Sequence, residues 1–367
     1  MNNAGRKFRA VALLDRDGTI NEEVNYLYNP EQVKLLPGAA RAISILNSES
    51  IAVIITTNQS GIGRGMFDEA ALASVHAKLL EDLKKEGALV DAIYFCPALP
   101  DAGDVRRKPS RGMYDDAVRD LALGDIPVYS IGDRTLDVEF GVRCGGKGIR
   151  VLTGHQLKED LPMDIRALHE KRERRLIFTA ENLLEAAHVL LADLNSEAGR
   201  NDATLQKKFA DVYTTARSIA EERAQGNRVV LANGCFDLLH GGHASYLADA
   251  RALGDRLVVA INSNASVARL KGKGRPILNE LDRLQLLAAI RYIDYLTIFH
   301  EDSADRVLEI LRPDIHAKGT DYRSDNVPEL ETSRRLGIET KIAGNPKENS
   351  SRDIIGTIAD RAAKGLI

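Results

Sequence analysis

The chain has 367 residues, of which 44% are hydrophobic and 28% charged. That is ordinary globular composition for about two domains, and it excludes intrinsic disorder over most of the length. With 50 Lys and Arg against 53 Asp and Glu the net charge is −3, which excludes a general polyanion binder, because non-specific nucleic-acid affinity rests on excess Lys and Arg. Small phosphorylated ligands are not excluded, since they need only a local cluster of donors. The 3 cysteines, Cys96, Cys144 and Cys235, are too widely spaced for a disulfide framework or a CxxC metal site, which points to a reducing compartment. No apolar run approaches the roughly 18 residues of a membrane span. The opening MNNAGRKFRA lacks the apolar core of a signal peptide. The expectation is a cytoplasmic protein without nucleic-acid or membrane partners.

In chain order, FRAVALLD (Phe8–Asp15) reads as a strand ending on an acid. A helix follows over Ala39–Asn47, entered through Pro37-Gly38, then a β-branched strand over Ile51–Asn58 and a helix over Asp68–Gly87 stopped by its glycine. VDAIYFC and IPVYSIGD are further strands. Residues Gly154–Arg174 are charged and weakly patterned. Ile177–Leu194 reads as a short strand and an apolar-faced helix that closes the first domain. Leu194–Thr204 is small, polar and aperiodic, hence a linker. A helix over Leu205–Gln225 leads to the strand RVVLA and the turn NGCFD. A helix over Gly242–Asp255, a strand over Arg256–Asn262, and the strands YIDYLTIF and DIHAKG complete the series. Strands alternating with helices predict an α/β fold with mainly parallel sheets covered on both faces. The domains are expected at 1–195 and 227–367, with 196–226 as linker and leading helix. No internal repeat relates the halves.

Asp15 and Asp17 end the first strand in DRDGT. Residues i and i+2 of an extended chain point the same way, and paired carboxylates suit a hard cation. Gly18 permits a tight turn and Thr19 adds a hydroxyl. Three other strand ends bring Thr57 and Asn58, Arg107 and Lys108 in RRKPSRGM, and Asp133 and Asp137 in SIGDRTLD. This ordered set resembles the haloacid dehalogenase superfamily of phosphotransferases over about residues 8–195. The resemblance implies Asp15 as nucleophile and Asp17 as the acid and base for leaving oxygen and water. It implies Thr57 and Lys108 as holders of the phosphoryl oxygens, and Mg²⁺ on Asp15, Asp133 and the main-chain carbonyl of Asp17. Asp137 is implied as a supporting acid, with Thr19 and Asn58 in the substrate set. TTNQSGIGRGMF and RRKPSRGM are similar to the branch containing D-glycero-D-manno-heptose-1,7-bisphosphate phosphatase and histidinol phosphatase, which implies substrate contacts for Arg64 and Arg107. That branch usually carries a zinc loop. Here YFCPALPDAGDVRRKP keeps only Cys96, and one thiol cannot make a four-ligand site, so no structural zinc is expected.

NGCFDLLHGGH (Asn233–His243) follows the strand RVVLA. His240 and His243 lie three apart at a helix start and can face one ligand. A helix N-terminus favours phosphate, and Gly241 and Gly242 allow close approach. The segment resembles the HxGH nucleotidyltransferases, whose cores are Rossmann-like, from about Asn227 onward. LKGKGRPI (Leu270–Ile277), Arg283 and AKGTDY (Ala317–Tyr322) look like the adenylyltransferase domain of ADP-heptose synthase. The resemblance implies His240 and His243 as the groups that stabilise the triphosphate in the transition state. It implies nucleotide contacts from Gly234, Cys235, Phe236, Gly242, Lys271, Arg275, Lys318, Gly319 and Asp321. Ser350 and Ser351, in NSSRDII, occupy the place of the family's Ser-Thr-rich helix start.

Together the resemblances imply two Rossmann-like three-layer α/β/α domains and a bifunctional enzyme. One half would remove the C7 phosphate of heptose 1,7-bisphosphate. The other would transfer an adenylyl group from ATP to heptose 1-phosphate. Mg²⁺ serves both, the partners are heptose phosphates and ATP, and a homo-oligomer is left open. The alternative is a histidinol-phosphatase-like enzyme fused to a cytidylyltransferase acting on an alditol or sugar phosphate.

Overall fold

The structure, a computed structural model, describes residues 7–154, 176–198, 202–323, 327–345, 351–364 and 366. The chain divides into two compact units, Met1–Leu190 and Leu191–Ile367.

The first unit contains the strands β1 (Ala10–Leu14), β2 (Ile51–Asn58), β3 (Ala92–Cys96), β4 (Val128–Gly132), β5 (Lys147–Val151) and β6 (Ile177–Ala180). They form one parallel sheet in the order β3-β2-β1-β4-β5-β6. All five residues of β1 are fully buried. A central parallel strand is covered on both faces, which is why AVALL is a continuous apolar run with no alternation. The helix Glu69–Lys85 starts where the Asp68 carboxylate accepts the amide of Ala71 at 2.8 Å. β5 was not picked out from the sequence. Its strand character depends on close packing, not on apolar patterning. A Cβ on Gly148 would stand 2.6 Å from Val138 Cα, and one on Gly146 2.1 Å from the Val128 carbonyl oxygen.

The second unit contains β7 (Val229–Gly234), β8 (Arg256–Asn262), β9 (Tyr295–Phe299), β10 (Ile315–Gly319) and β11 (Glu339–Ala343). They form a parallel sheet in the order β11-β10-β7-β8-β9. Val230, Ala232, Leu257 and Val259 face one apolar layer, while Val229, Leu231, Val258 and Ala260 face another. Both units are thus α/β folds with helices flanking a parallel sheet.

Two expectations need correction. The helix Leu183–Ala198 runs into the stretch read as linker, and the next helix starts at Ala203. Tertiary contact overrides the polar composition there, with Leu194 and Asn195 buried and Asn195 Nδ2 donating to Glu280 Oε1 at 3.2 Å. The single helix expected over Leu205–Gln225 is two, Ala203–Lys208 and Val212–Ala224. The break falls where Phe209 is buried and Asp211 caps the second helix by accepting the amides of Tyr213 and Thr214. Most of the weakly patterned Gly154–Arg174 stretch lies outside the described residues.

In each unit the chain builds outward on one side of its first strand and then crosses to the other side. The switch points lie between β1 and β4 in the first unit and between β7 and β10 in the second. Open α/β sheets bind ligands in the crevice beyond such strand ends.

Candidate active site

At the first switch point the Asp15 amide donates to the Ile131 carbonyl at 2.8 Å, which holds the end of β1 against β4. Asp133 directly follows β4, and Asp137 lies in the first turn of the helix Thr135–Arg143. Lys108 Nζ donates to Asp15 Oδ1 and to Asp137 Oδ1, both at 2.5 Å. Asn58, at the end of β2, fixes the lysine's backbone: its Oδ1 accepts the Lys108 amide at 3.0 Å and its Nδ2 donates to the Lys108 carbonyl at 3.1 Å. Carboxylate oxygens of Asp15, Asp133 and Asp137 all lie within 4.8 Å of one another.

Glycines seat this cluster. A Cβ on Gly154 would stand 2.1 Å from Asp133 Oδ2 and one on Gly18 2.9 Å from it, and a Cβ on Gly132 would stand 2.4 Å from Asp137 Cγ. The donor set is all oxygen and anionic, which fits a hard dication such as Mg²⁺. Burial pushes the Asp15 carboxyl up to about 7; Lys108 opposes this, while Asp137 and Asp17 add to it. For Lys108, burial pulls its value down, but Asp137 and Asp15 outweigh it and hold the ammonium above the ordinary lysine range. A bound dication would restore Asp15 to its charged form.

The Asp17 carboxylate has its own set of donors. It accepts from Arg16 Nη2 at 2.7 Å, Asn21 Nδ2 at 3.0 Å and Gln59 Nε2 at 3.1 Å. Gln59 also donates to Thr57 Oγ1 at 2.8 Å. Gly18, at φ 72°, makes the turn that sends the chain back to Asn21. Thr19 is buried beneath that turn.

The loop between β3 and Lys108 is tied by polar contacts. Arg107 Nη1 donates to the Ala98 carbonyl at 2.8 Å, and Arg106 Nε donates to Asp116 Oδ2 at 2.7 Å. Cys96 is buried at the end of β3, and burial raises its thiol above the ordinary value.

At the second switch point His240 is the N-cap residue of the helix Gly241–Ala252. The His240 and His243 ring centroids are 4.0 Å apart, and Phe236 lies 5.3 Å from His243. Asn233, near the end of β7, has its Oδ1 2.9 Å from His316 Nε2 and accepts from Lys318 Nζ at 3.4 Å. Lys318 is buried, donates to Glu329 Oε2 at 3.0 Å and lies 4.8 Å from the Tyr322 ring centroid. Burial, then the Lys318 charge, lowers His316 to about 4.

Asp237 is buried and binds the Arg275 guanidinium, while its Oδ1 accepts the amides of Ile277 and Leu278 at 2.7 and 2.9 Å. The LKGKGRPI loop is thereby pinned to the turn after β7. Arg283 is fully buried and donates to the carbonyls of Cys235 and Asn262, both at 2.7 Å.

Residues 105–174 match the family model described as HAD-hydrolase-like, and residues 231–357 the one described as cytidylyltransferase-like. The chain is a fusion of a haloacid dehalogenase-like domain and a cytidylyltransferase-like domain. It is 43% identical over 171 residues to the Bifunctional protein HldE of Magnetococcus marinus, covering 46% of this chain and 35% of that protein. It is 41% identical over 169 residues to the protein of the same name from Geobacter sulfurreducens, covering 46% and 34%. The solved D,D-heptose 1.7-bisphosphate phosphatase from B. bronchiseptica, complexed with magnesium and phosphate, is 33% identical over 49% of this chain and 97% of its own, with a TM-score of 0.42. The chain spans about a third of the length of the curated relatives it matches.

In the haloacid dehalogenase-like domain Lys108 joins Asp15 and Asp137 directly, Asp133 lies within 4.8 Å of both, Asn58 stands behind Lys108, and Thr57 is linked to Asp17 through Gln59. Arg64 is exposed at the end of the short helix Ser60–Gly63, and Arg107 is engaged with the loop backbone. In the cytidylyltransferase-like domain His240, Gly242, His243 and Phe236 cluster around one helix start. Gly234 ends β7 and Gly319 ends β10. Cys235 Sγ donates to Asn262 Oδ1 at 3.7 Å. Lys271 and Asp321 are exposed. Ser351 starts the helix Ser351–Ala363, its hydroxyl 3.4 Å from the Leu238 carbonyl. Ser350 lies outside the described residues.

Sequence reasoning missed Arg16, Asn21, Gln59 and His76 in the first domain, and Asn233, Asp237, His316 and Glu329 in the second. It also missed Glu23, pushed up to about 7 by burial and by the charges of Asp17, Asp133 and Asp15. The partners of these residues are mostly distant in sequence. Arg16, Gln59, Asn233 and Asp237 had a local signal, since they lie inside the motifs DRDGT, TTNQSG and NGCFD.

Proposed function

We propose that the protein is a bifunctional enzyme of ADP-heptose biosynthesis. The first domain hydrolyses the C7 phosphate of D-glycero-D-manno-heptose 1,7-bisphosphate, and the second transfers the adenylyl group of ATP to heptose 1-phosphate. The observation that carries the reading is the buried Lys108 bridging Asp15 and Asp137 beside Asp133, on a chain that also pairs His240 with His243 at a helix start. The functional parts are 1–195 and 227–367, joined by 196–226. Drawing on ATP, the enzyme works in the cytoplasm; among the described residues no helix is long and apolar enough to cross a membrane.

In the first domain an Asp15 carboxylate oxygen attacks the C7 phosphorus in line. The bond from phosphorus to the sugar oxygen breaks, and Asp17 donates a proton to that oxygen. Asp17 then takes a proton from water, which attacks the aspartyl-phosphate, frees phosphate and restores Asp15. Thr57 and Lys108 hold the phosphoryl oxygens, and Lys108 balances their charge in a low-dielectric site. Asp15, Asp133 and the Asp17 carbonyl would hold Mg²⁺, with Asp137 beside them, and the ion would supply charge neutralisation. Thr19, Asn58, Arg64 and Arg107 complete the substrate set. Cys96 is expected to hold no zinc.

In the second domain a heptose 1-phosphate oxygen attacks the α-phosphorus of ATP, and the bond to pyrophosphate breaks. His240 and His243 stabilise the negative charge that develops on the triphosphate. Lys271, Arg275 and Lys318 are the cations, with Gly234, Cys235, Phe236, Gly242, Gly319, Asp321, Ser350 and Ser351 lining the nucleotide site.

The test is incubation with heptose 1,7-bisphosphate, Mg²⁺ and equal ATP and CTP, with products identified by mass spectrometry. ADP-heptose and phosphate are expected, with ATP favoured at least about tenfold, since a pocket built for one base leaves polar groups unpaired with another. CDP-sugar formed at least as fast would replace adenylyl by cytidylyl transfer. Absence of phosphate release would remove the first activity.

A further inference from the structure

Arg16 lies between the two aspartates of DRDGT and is fully buried. A buried guanidinium needs every N–H placed, because an unpaired charged donor away from water is costly. Nε and Nη2 face Asp17, with Nη2 2.7 Å from Oδ2 and Nε 3.1 Å from each oxygen. Nη1 points the other way and lies 3.2 Å from His76 Nε2. His76 is itself buried, on the inner face of the helix Glu69–Lys85, and the Phe95 ring sits edge-on to it at 6.3 Å. Arginine is always a donor, so His76 Nε2 must be the acceptor and the ring must be neutral. Burial, together with the Arg16 charge, agrees with this by lowering His76 to about 4.

We propose that Arg16 and His76 are a positioning pair that fixes the rotamer of the Asp17 carboxylate for proton transfer. This rests on the phosphatase reading, in which Asp17 protonates the leaving oxygen. An aspartate side chain turns about two bonds. A misplacement of about 1 Å in a reacting group can cost on the order of 10²-fold in rate. The guanidinium fork grips both Asp17 oxygens, and His76 sets the fork by occupying the N–H that would otherwise compete. Asn21 and Gln59 add one amide donor each.

The experiment uses the full chain with Mg²⁺ and two esters. Heptose 1,7-bisphosphate has an alkoxide leaving group that needs a proton; para-nitrophenyl phosphate has a phenolate that does not. Asp17→Asn is the reference, expected to lose much more on the sugar ester than on the aryl ester. Arg16→Met should lower kcat on the sugar ester by about 10²-fold with KM unchanged, and on the aryl ester by less than about fivefold, following the size of general-acid contributions. His76→Phe keeps the ring shape but removes the acceptor, and should show the same leaving-group bias at about tenfold. His76→Gln, whose amide oxygen can accept from Nη1, should recover most of the rate. Should Arg16→Met fail to fold, the two His76 variants decide the matter. Equal losses on both esters, or wild-type rates in the Arg16 and His76 variants beside a biased Asp17→Asn, would overturn the positioning role alone. A wild-type protein inactive on both esters would take down the phosphatase reading and this inference with it.

Discussion

Counted within each unit, the two sheets share the strand order 3-2-1-4-5, the first adding a sixth strand at its edge. Each places its polar cluster where the chain crosses its own first strand. The side chains there are opposite in kind. The first site is three carboxylates, two of them bridged by one buried lysine; the second is two imidazoles at a helix start, with a buried lysine held by Glu329. Under the proposed function, the same backbone crevice would serve one chemistry that needs a nucleophile and a dication, and another that needs donors toward a triphosphate.

The largest effect expected is the separation of the two chemistries. Asp15→Asn should reduce phosphate release more than about 10³-fold, by analogy with removing one member of a catalytic set. Pyrophosphate release from ATP and heptose 1-phosphate should change less than about twofold. His240→Ala and His243→Ala should do the reverse, each costing at least about 10²-fold. Parallel assays of both products on each variant check this; coupled losses would show that the sites are not independent.

The two buried lysines sharpen the contrast. Lys318 has Glu329 as its carboxylate partner, whereas Lys108 has Asp15 and Asp137. Glu329→Ala should cost about 3–5 kcal/mol by stranding a buried charge. Asp137→Asn, which leaves Lys108 paired with Asp15, should cost less than about 2 kcal/mol. Urea unfolding of the full chain measures both, and equal losses would refute the contrast.

Each unit also buries a neutral histidine, His76 beside Arg16 and His316 beside Lys318, and each is lowered from 6.5 to about 4. The unfolded chain therefore binds more protons than the native one between those values. The stabilisation is complete above about pH 6.5 and is lost as pH falls toward 4, by up to about 3 kcal/mol per site. Unfolding free energies measured from pH 7 to 4 should fall less steeply in His76→Gln. An unchanged slope would mean that His76 titrates alike in the folded and unfolded chain.

The smallest effects concern glycines. Gly154→Ala drives a methyl into Asp133 and should raise the Mg²⁺ concentration for half-maximal phosphate release by about tenfold, the equivalent of modest overpacking. Gly319→Ala meets open space at the end of β10 and should leave stability within about 0.5 kcal/mol. Any change should appear in the KM for ATP. Thermal melting and Mg²⁺ titration of the two variants distinguish these outcomes.

The sequence by itself determined the alternation of strands and helices, and it marked the strand-end acids and the HGGH turn. These signals are local. A buried parallel strand is a continuous apolar run, so β2 and β8 fall on the residues expected, and a motif confined to a few positions declares its own chemistry. Tertiary structure alone decided what those residues touch. Nothing in DRDGT marks Arg16 as buried; His76, sixty positions away, closes its shell. Glu329 lies in a stretch of mixed charge with no motif, and the fold sets it against Lys318. β5 and the break at Phe209 were equally invisible, because close packing at Gly146 and Gly148 and burial of one ring leave no periodic trace. Hydrogen bonds between distant residues follow from the register of the whole sheet, and no window of sequence contains that register.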